Sequence, residues 1–294
     1  MEMTDCEIVT TSPDRPNIYY EVHTCTDVET DLNDVVMSLK ELKNMAPRVI
    51  VYCRTLDVCA DLYAHFHFEL GDGSYFPPEA ERISDNCLFG MFHANTPQHN
   101  KEVVLNSLTR PDGVVRVVFA TVALGMGINL RHVNTIIYYG APQSIEDYFQ
   151  ESGRGGRSGE SAQSIVYWKP IDCRLKKKLS STRDEEVAAV RRYLDNDTSC
   201  RRQWLLQYFD PSFTASVQDP MLCCDICTSK NSFSQVCSLP FIISFSATCI
   251  VHNIVYSYTH SHTNYTCMCI MVMLIFWCEY SHQVKHCTKG SVGT

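Results

Sequence analysis

Short β-branched apolar runs alternate with amphipathic segments along the first 170 residues, and this alternation restricts the fold more than any other sequence feature. Such runs are typical of strands that are buried on both faces of a sheet. We predict strands at residues 48–53, 88–93, 114–120, 135–139 and 162–168. Apolar residues at helical spacing predict helices at residues 31–43, 56–70, 96–108 and 145–153, the second of them opened by Thr55 as its N-cap.

Strands that alternate with helices in this way predict an α/β fold, in which helices cover both faces of a parallel sheet. Ligands of such sheets bind at the carboxyl ends of the strands, where the loops gather. The loops after residues 52, 92, 120 and 139 are therefore the first places to look for functional side chains.

Changes in composition divide the chain into four predicted segments. Residues 1–18 contain Pro13 and Pro16 and form an extended lead-in, and residues 19–170 form the α/β domain. Residues 171–230 begin with a basic stretch at 174–178 and continue through charged helices to a cysteine cluster. Residues 231–294 form a tail whose first 48 residues contain no Asp, Glu, Lys or Arg.

This tail has two interpretations: it is translated non-coding sequence, or it is a segment that associates with a membrane. Its most apolar run, residues 267–278, has 12 residues. A helix needs about 20 apolar residues to span a bilayer. We therefore expect no membrane partner.

Net charge and cysteine content limit the functional classes. The formal charge is −8, and the tail carries +1, which leaves −9 on residues 1–230. Nucleic-acid binding then depends on a local basic patch, because the bulk charge does not favour it. The chain has 16 cysteines and opens without the basic and apolar regions of a signal peptide, so reduced thiols with a metal site are favoured over a disulfide framework.

The most informative motif is Gln150-Glu-Ser-Gly-Arg-Gly-Gly-Arg157. Arg154 and Arg157 each follow a glycine and stand three residues apart, which places two guanidinium groups on one side of a turn. Guanidinium groups offer paired, permanently charged donors to phosphate oxygens, and an arginine that reaches a transferring γ-phosphate is an arginine finger. Taken alone, the motif also fits a glycine-rich surface turn with solvated arginines.

Further motifs follow predicted strands. The segment Ala120-Thr-Val-Ala-Leu-Gly-Met-Gly-Ile-Asn129 offers the Thr121 hydroxyl at a strand end, and its two glycines allow close approach to a phosphate. His93 follows a second strand, and Tyr52-Cys-Arg-Thr55 ends a third.

Together these motifs make residues 13–230 resemble the second RecA-like domain and the zinc-binding segment of the RecQ family of superfamily 2 ATP-dependent DNA helicases. Pro13-Asp-Arg-Pro-Asn-Ile18 resembles the segment that leads into that domain, and Val49-Ile-Val-Tyr-Cys-Arg-Thr55 resembles motif IV. Phe92-His-Ala94 resembles the strand-end element that follows, residues 120–129 resemble motif V, and residues 150–157 resemble motif VI. The resemblance implies a RecA-like sheet followed by a small helical zinc-binding subdomain. The tail after residue 230 matches nothing of the winged-helix domain that often follows in the family, and we predict that it is poorly defined.

For the nucleotide, the resemblance implies that Gln150, Arg154 and Arg157 line a cleft between two motor domains. Arg157 is the better candidate for the arginine finger. Ser158 departs from the family, which usually shows Asp at this position, and it leaves open how Arg157 is oriented.

For the nucleic acid, the resemblance implies that Thr121, Gly125, Met126 and Gly127 couple the DNA backbone to the nucleotide. It also implies DNA contacts by Thr55 and His93. The expected partner is single-stranded or partly duplex DNA, with ATP as the only small-molecule substrate.

A separate constellation, Cys200, Cys223, Cys224 and Cys227, supplies four thiolates, which suffice for a closed tetrahedral zinc site. The family shows one Cys before Arg-Arg and then three Cys spaced by two residues each. Here Met221 stands where the second ligand belongs, and we predict that Cys223 replaces it, because a thioether sulfur binds zinc poorly. The alternative is a degraded site or merely buried thiols.

The sequence contains neither Gly-x-x-x-x-Gly-Lys-Ser/Thr nor Asp-Glu-x-His, the motifs that hold the phosphates and the Mg²⁺ of ATP. We therefore predict that this chain alone hydrolyses no ATP, and that ATP and Mg²⁺ bind only when a first motor domain is supplied. The resemblance predicts the C-terminal half of a 3′–5′ DNA helicase that is located in the nucleus, or in the nucleus and the cytoplasm. The alternatives are a non-enzymatic nucleic-acid-binding zinc module and an inert fragment.

Overall fold

Six strands form one parallel sheet in the computed structural model, which describes residues 13–121, 130, 132–174, 181–214 and 219–237. The strands are β1 (Ile18–Thr24), β2 (Arg48–Cys53), β3 (Phe89–Phe92), β4 (Val117–Ala120), β5 (Val133–Tyr139) and β6 (Ala162–Trp168). Their order across the sheet is β1-β6-β5-β2-β4-β3, and every neighbouring pair is parallel. The predicted parallel sheet is confirmed.

One face of the sheet is covered by α2 (Asn33–Leu42) and α3 (Leu56–Leu70), which follow the short helix α1 (Val28–Asp31). Successive strand residues point to opposite faces, so Val49 and Val51 pack with these helices. Phe66 of α3 is fully buried, and its ring centroid lies 4.9 Å from that of Phe119. Aromatic packing thus fixes α3 on β4.

The opposite face is covered by the later helices, which are α4 (Gln98–Thr109), α5 (Ile145–Ser152), α6 (Ser181–Leu194) and α7 (Arg201–Phe209). Tyr148 of α5 is fully buried at the centre of this layer. Its hydroxyl accepts hydrogen bonds from Ser164 of β6 (3.1 Å) and from Tyr193 of α6 (3.3 Å). Helices therefore lie on both faces, as the RecA-like fold requires.

The predicted elements agree with the structure in kind and differ mainly at their ends. The predictions at 48–53 and 162–168 match β2 and β6, and the prediction at 56–70 matches α3. The strand predicted at 114–120 begins only at Val117. The Val115 N–H donates to Ser107 Oγ (2.7 Å) instead of to a neighbouring strand, which explains the later start.

Strand β1 is absent from the elements predicted by the apolar pattern. Glu21 and His23 interrupt its apolar residues, and their side chains pair with each other at 2.8 Å. Because β1 stands at the edge of the sheet, it does not need to be apolar on both faces.

The outer side of β1 is covered by the start of α8 (Asp225–Cys237) and the residues just before it. Tyr20 forms a parallel bridge with Cys224, and its N–H donates to Cys223 O (3.3 Å). The Val22 N–H donates to the Asp225 carboxylate (3.2 Å). These contacts protect an edge that could otherwise pair with another chain, and they join the cysteine-containing segment to the sheet.

The segment boundary predicted at residue 230 falls inside α8. Residues 238–294, most of the predicted tail, lie outside the described residues, so both interpretations of the tail stay predictions. Within the described ranges, no helix is long and apolar enough to cross a membrane.

Candidate nucleotide, nucleic-acid and metal sites

The candidate nucleotide site is the turn at residues 153–157 that follows α5, here called the glycine–arginine turn. Helix α5 is capped by Ser144, whose Oγ accepts the Asp147 N–H (3.1 Å). The Gly156 N–H donates to Val133 O (2.9 Å). Because Val133 is the first residue of β5, the turn lies at the amino end of that strand, away from the strand-end loops at the carboxyl edge.

Two side chains of residues 13–17, here called the proline segment, hold this turn. The Arg15 guanidinium donates to the carbonyl oxygens of Gly153 (2.9 Å), Gly155 (3.1 Å) and Gly156 (3.0 Å). Asn17 Nδ2 donates to Gly156 O (2.8 Å). Gly156 has a φ of +56°, and a Cβ there would collide with the Asn17 side chain, so only glycine fits.

The two arginines of the turn differ in exposure. Arg157 is exposed, whereas Arg154 is only 3% exposed and lies beside the Tyr52 hydroxyl. Partial burial and the nearby charges of Arg154 and Arg15 lower the pKa of Arg157, but a guanidinium stays protonated in proteins. Arg157 can therefore meet a phosphate from solvent, while Arg154 adds positive charge from inside the fold. Gln150, on the last turn of α5, is exposed.

Glu151 is a buried acid next to the turn. Its side chain is largely enclosed, and the Tyr138 hydroxyl donates to Oε2 (2.7 Å). Burial raises the pKa of Glu151 to about 7, although Arg154 acts in the opposite direction. The carboxyl group therefore changes charge near neutral pH.

The strand-end candidates lie at the carboxyl edge, on three neighbouring strands. Thr55, after β2, is exposed, and its hydroxyl accepts the Val58 N–H (3.3 Å) as the N-cap of α3. His93, after β3, accepts the Asn95 N–H at Nδ1 (3.2 Å), and burial lowers the pKa of its imidazole. Thr121 is half-buried directly after β4. The other predicted coupling residues, Gly125, Met126 and Gly127, lie outside the described residues.

A groove with three arginines, Arg54, Arg174 and Arg183, opens beside Thr55, and we call it the basic groove. The Arg54 guanidinium donates to Asp172 O and lies 3.6 Å from the Asp172 carboxylate, so its charge is partly compensated. Exposed guanidinium groups that line one groove can bind the phosphates of a nucleic-acid backbone. The predicted basic stretch contributes Arg174, and its other residues lie outside the described ones.

The four predicted metal ligands form one cluster. The sulfur atoms of Cys200, Cys223, Cys224 and Cys227 all lie within 4.8 Å of one another. The sulfurs of Cys200 and Cys223 are 3.5 Å apart. A tetrahedral zinc ion with Zn–S bonds of about 2.3 Å separates its sulfur ligands by about 3.8 Å, so this cluster fits one zinc ion with small adjustments. Met221 is 44% exposed at the surface, which agrees with Cys223 taking its place.

The thiols of this cluster differ in how strongly they hold their protons, and Cys227 holds one that a metal ion would displace. Burial raises the pKa of Cys227 to about 12. Hydrogen bonds from Cys200 and Cys223 lower the pKa of Cys224. Metal binding at these residues therefore releases protons and is favoured by rising pH.

Two consecutive buried arginines connect the cluster to the rest of the protein, and neither is among the predicted site residues. Arg201 Nε donates to the Asp225 carboxylate (2.6 Å), and its guanidinium also donates to Tyr193 O (3.3 Å). The Arg202 guanidinium donates to Asp14 Oδ1 (3.0 Å) and to main-chain oxygens of the proline segment and of Ile18. The Arg-Arg pair after Cys200 is the one sequence signal that could have indicated this role.

Two family models match the chain. The helicase conserved C-terminal domain matches residues 31–159, which include α2 to α5, the sheet except for β1 and β6, and the glycine–arginine turn. The RecQ zinc-binding model matches residues 169–228, which contain all four clustered cysteines.

Relatives of known family cover most of the chain. ATP-dependent helicase wrn-1 of Caenorhabditis elegans is 33% identical over 246 residues, which are 78% of this chain and 21% of the relative. The putative ATP-dependent RNA helicase R290 of Acanthamoeba polyphaga mimivirus is 29% identical, over 71% of this chain and 36% of the relative. ATP-dependent DNA helicase Q1 of Mus musculus is 28% identical, over 78% of this chain and 33% of the relative.

The chain spans about a fifth to about a third of the length of these relatives. Within that span, a helicase C-terminal domain is followed directly by a RecQ zinc-binding domain, and the cysteines of the second domain meet in one cluster. The chain therefore belongs to the RecQ family of helicases, and it carries the C-terminal helicase domain and the zinc-binding domain of that family.

Proposed function

We propose that this chain acts as the C-terminal motor half of an ATP-dependent 3′–5′ DNA helicase in the nucleus, with Arg157 as its arginine finger. The observation that carries the proposal is an exposed Arg157 guanidinium on a turn that Arg15 and Asn17 hold in place. A donor that is already ordered stabilises the charge of a transferring γ-phosphate without further reorganisation.

ATP and Mg²⁺ would be held by a P-loop domain, whose motifs do not occur in these 294 residues. Toward that nucleotide, Arg157 would contact the γ-phosphate and Arg154 would add a second positive charge. Gln150 would contact the nucleotide from the end of α5. The catalytic contribution of this half is thus electrostatic.

DNA would lie across the carboxyl edge of the sheet, where Thr55, His93 and Thr121 end their strands. The basic groove would bind backbone phosphates there. Gly125, Met126 and Gly127, which lie outside the described residues, would couple DNA binding to the nucleotide, as the resemblance of residues 120–129 to motif V implies.

Zinc would be held by the thiolates of Cys200, Cys223, Cys224 and Cys227. An ion with four protein ligands has no open position, so its role would be structural. It would fix α7 and α8 against the outer side of β1.

ATP hydrolysis in the presence of single-stranded DNA tests the arginine finger. The chain alone is expected to hydrolyse no ATP, since it has no P-loop motif. Joined to the P-loop domain of a RecQ relative, it is expected to hydrolyse ATP when DNA is added. Arg157→Ala should then lower kcat by about 10³-fold or more, with a smaller change in KM for ATP.

Arg110→Ala is the matched control, because Arg110 is also exposed and pairs with Asp112 at the surface. It should leave kcat unchanged. A wild-type kcat in Arg157→Ala would refute the arginine finger. DNA-stimulated phosphate release by the chain alone would refute the assignment of ATP binding to a separate domain.

A further inference from the structure

Hydrogen bonds form a continuous connection between the cysteine cluster and the glycine–arginine turn. At the cluster, Arg202 lies against the Cys223 thiol. Its guanidinium donates to the main-chain oxygens of Arg15 (2.5 Å), Pro16 (3.3 Å) and Ile18 (2.6 Å), and to the Asp14 carboxylate (3.0 Å). Arg202 is only 3% exposed, so these partners satisfy a charge that water cannot reach.

The second half of the connection is the Arg15 side chain. Arg202 binds the main chain of Arg15, and the guanidinium of Arg15 binds three carbonyl oxygens of the glycine–arginine turn. Pro13 and Pro16 flank the residue and fix φ at their positions, so the proline segment is stiff. These bonds offer a route by which a displacement of Arg202 would reach the turn.

We propose that a metal ion at the four cysteines holds the glycine–arginine turn in place through Arg202 and Arg15, which act as positioning residues. The inference rests on the proposed zinc site, and it does not depend on the reaction that the turn serves. Cys200 is the N-cap of α7, and Arg202 is the second residue of that helix. An ion that binds both Cys200 and Cys223 would thus fix the start of α7 and, with it, the position of Arg202.

Arg201 provides a comparison within the same helix. It is as deeply buried as Arg202, at 5% exposure, and it also has an acidic partner, Asp225. Its side chain donates to Asp225 and Tyr193, whereas the contacts to the proline segment come from Arg202. Equivalent substitutions at the two positions therefore separate a loss of local packing from a loss of the connection.

Hydrogen exchange of the whole chain, followed by mass spectrometry, tests the proposal. The reporters are the N–H groups of Arg154, Gly155 and Gly156, which donate within the fold. Chelation of zinc should speed their exchange by about tenfold or more, with a smaller effect in α4. Arg202→Lys and Arg15→Lys should do the same with zinc still bound, because an ammonium group cannot replace the several directed bonds of a guanidinium. Arg201→Lys should leave the turn unchanged.

Chelation should add little to the exchange of the turn in Arg15→Lys, since the connection is already broken. A full additional effect there would overturn the proposal, as would equal exchange in Arg201→Lys and Arg202→Lys. Unchanged exchange of the turn after zinc has been removed would also overturn it. A purified chain without bound metal would refute both this inference and the zinc site, but it would leave the Arg157 test unaffected.

Discussion

At the scale of single residues, Glu151 gives the fold a dependence on pH. Burial raises its pKa from the ordinary 4.5 to about 7. Between these values the folded protein binds more protons than the unfolded chain, so the free energy of unfolding falls as the pH rises. One pKa unit corresponds to about 1.4 kcal/mol, so the loss between about pH 4.5 and pH 7 should be on the order of 3 kcal/mol.

Glu151→Gln should remove this part of the pH dependence, because glutamine still accepts the Tyr138 hydroxyl and carries no charge at any pH. Denaturant unfolding at about pH 5 and about pH 8, in the presence of a thiol reductant, measures the difference. Glu185→Gln, on the exposed side of α6, is the control and should keep the wild-type dependence. If Glu151→Gln and the wild type lost the same stability between the two pH values, the pH dependence could not be assigned to Glu151.

The ligand set of the cysteine cluster gives a second prediction for single residues. Cys223→Ser should reduce the zinc bound per chain well below that of the wild type, because it removes one of four thiolates. Met221→Ser should bind zinc normally, since Met221 lies at the surface. Metal analysis of the purified variants measures the number of zinc ions bound per chain. Normal zinc in Cys223→Ser, or a loss in Met221→Ser, would show that Met221 has kept the family's ligand position.

The cluster of cysteines could be predicted from the sequence, whereas the contacts of Arg15 and Arg202 could not, although the Arg-Arg pair after Cys200 draws attention to Arg202. Thiols are rare and chemically specific, so their spacing alone indicates a common partner. The partners of Arg15 and Arg202 are mostly main-chain carbonyl oxygens, which every residue has. Nothing in a sequence marks the carbonyl group that a distant guanidinium will reach. The burial of Arg154 was equally hidden, because no periodic pattern extends across a glycine turn.

At the scale of elements, the accuracy of the predictions follows how each element is buried. Strands β2 and β6 lie inside the sheet and could be located to the residue. After Arg48, β2 is a continuous apolar run, whereas β6 alternates buried and more exposed residues. Strand β1 has a mixed pattern because it is an edge strand, and its outer side is covered by main-chain and carboxylate contacts from residues 223–225. Those contacts join parts of the chain about 200 residues apart, which local periodicity does not report.

Helix α3 allows a test of what the Thr55 hydroxyl does for the fold. Thr55→Ala should lower the free energy of unfolding by about 1 kcal/mol, because the Val58 N–H loses its acceptor at the helix start. Thr55→Ser keeps the hydroxyl and should stay close to the wild type. Denaturant unfolding of the wild type and the two variants measures these free energies. Equal stability of Thr55→Ala and Thr55→Ser would mean that the hydroxyl does not cap α3 in solution.

At the scale of the whole molecule, the glycine–arginine turn and the proposed DNA contacts lie at opposite ends of the strands of one sheet. The glycine–arginine turn lies at the amino end of β5, and the basic groove and the strand-end residues lie at the carboxyl edge. The cysteine cluster contacts β1 and, through Arg202 and Arg15, the turn. A parallel sheet provides this separation because all of its strands point the same way.

The net charge of −8 opposes nucleic acid over the molecule as a whole, so binding should depend on the basic groove. Protein binding releases counterions from a single strand, and log Kd then rises with log salt at a slope of about 0.7 for each phosphate neutralised. The groove's three arginines should therefore give a slope of at least about 2.

Arg54→Gln should weaken binding and lower the slope by about 0.7. Arg110→Gln changes the net charge equally but lies outside the groove, so it should leave the slope unchanged. Fluorescence titrations with labelled single-stranded DNA at several salt concentrations measure both quantities. Equal effects of the two variants would mean that binding follows total charge, and the assignment of the groove to the DNA backbone would then fail.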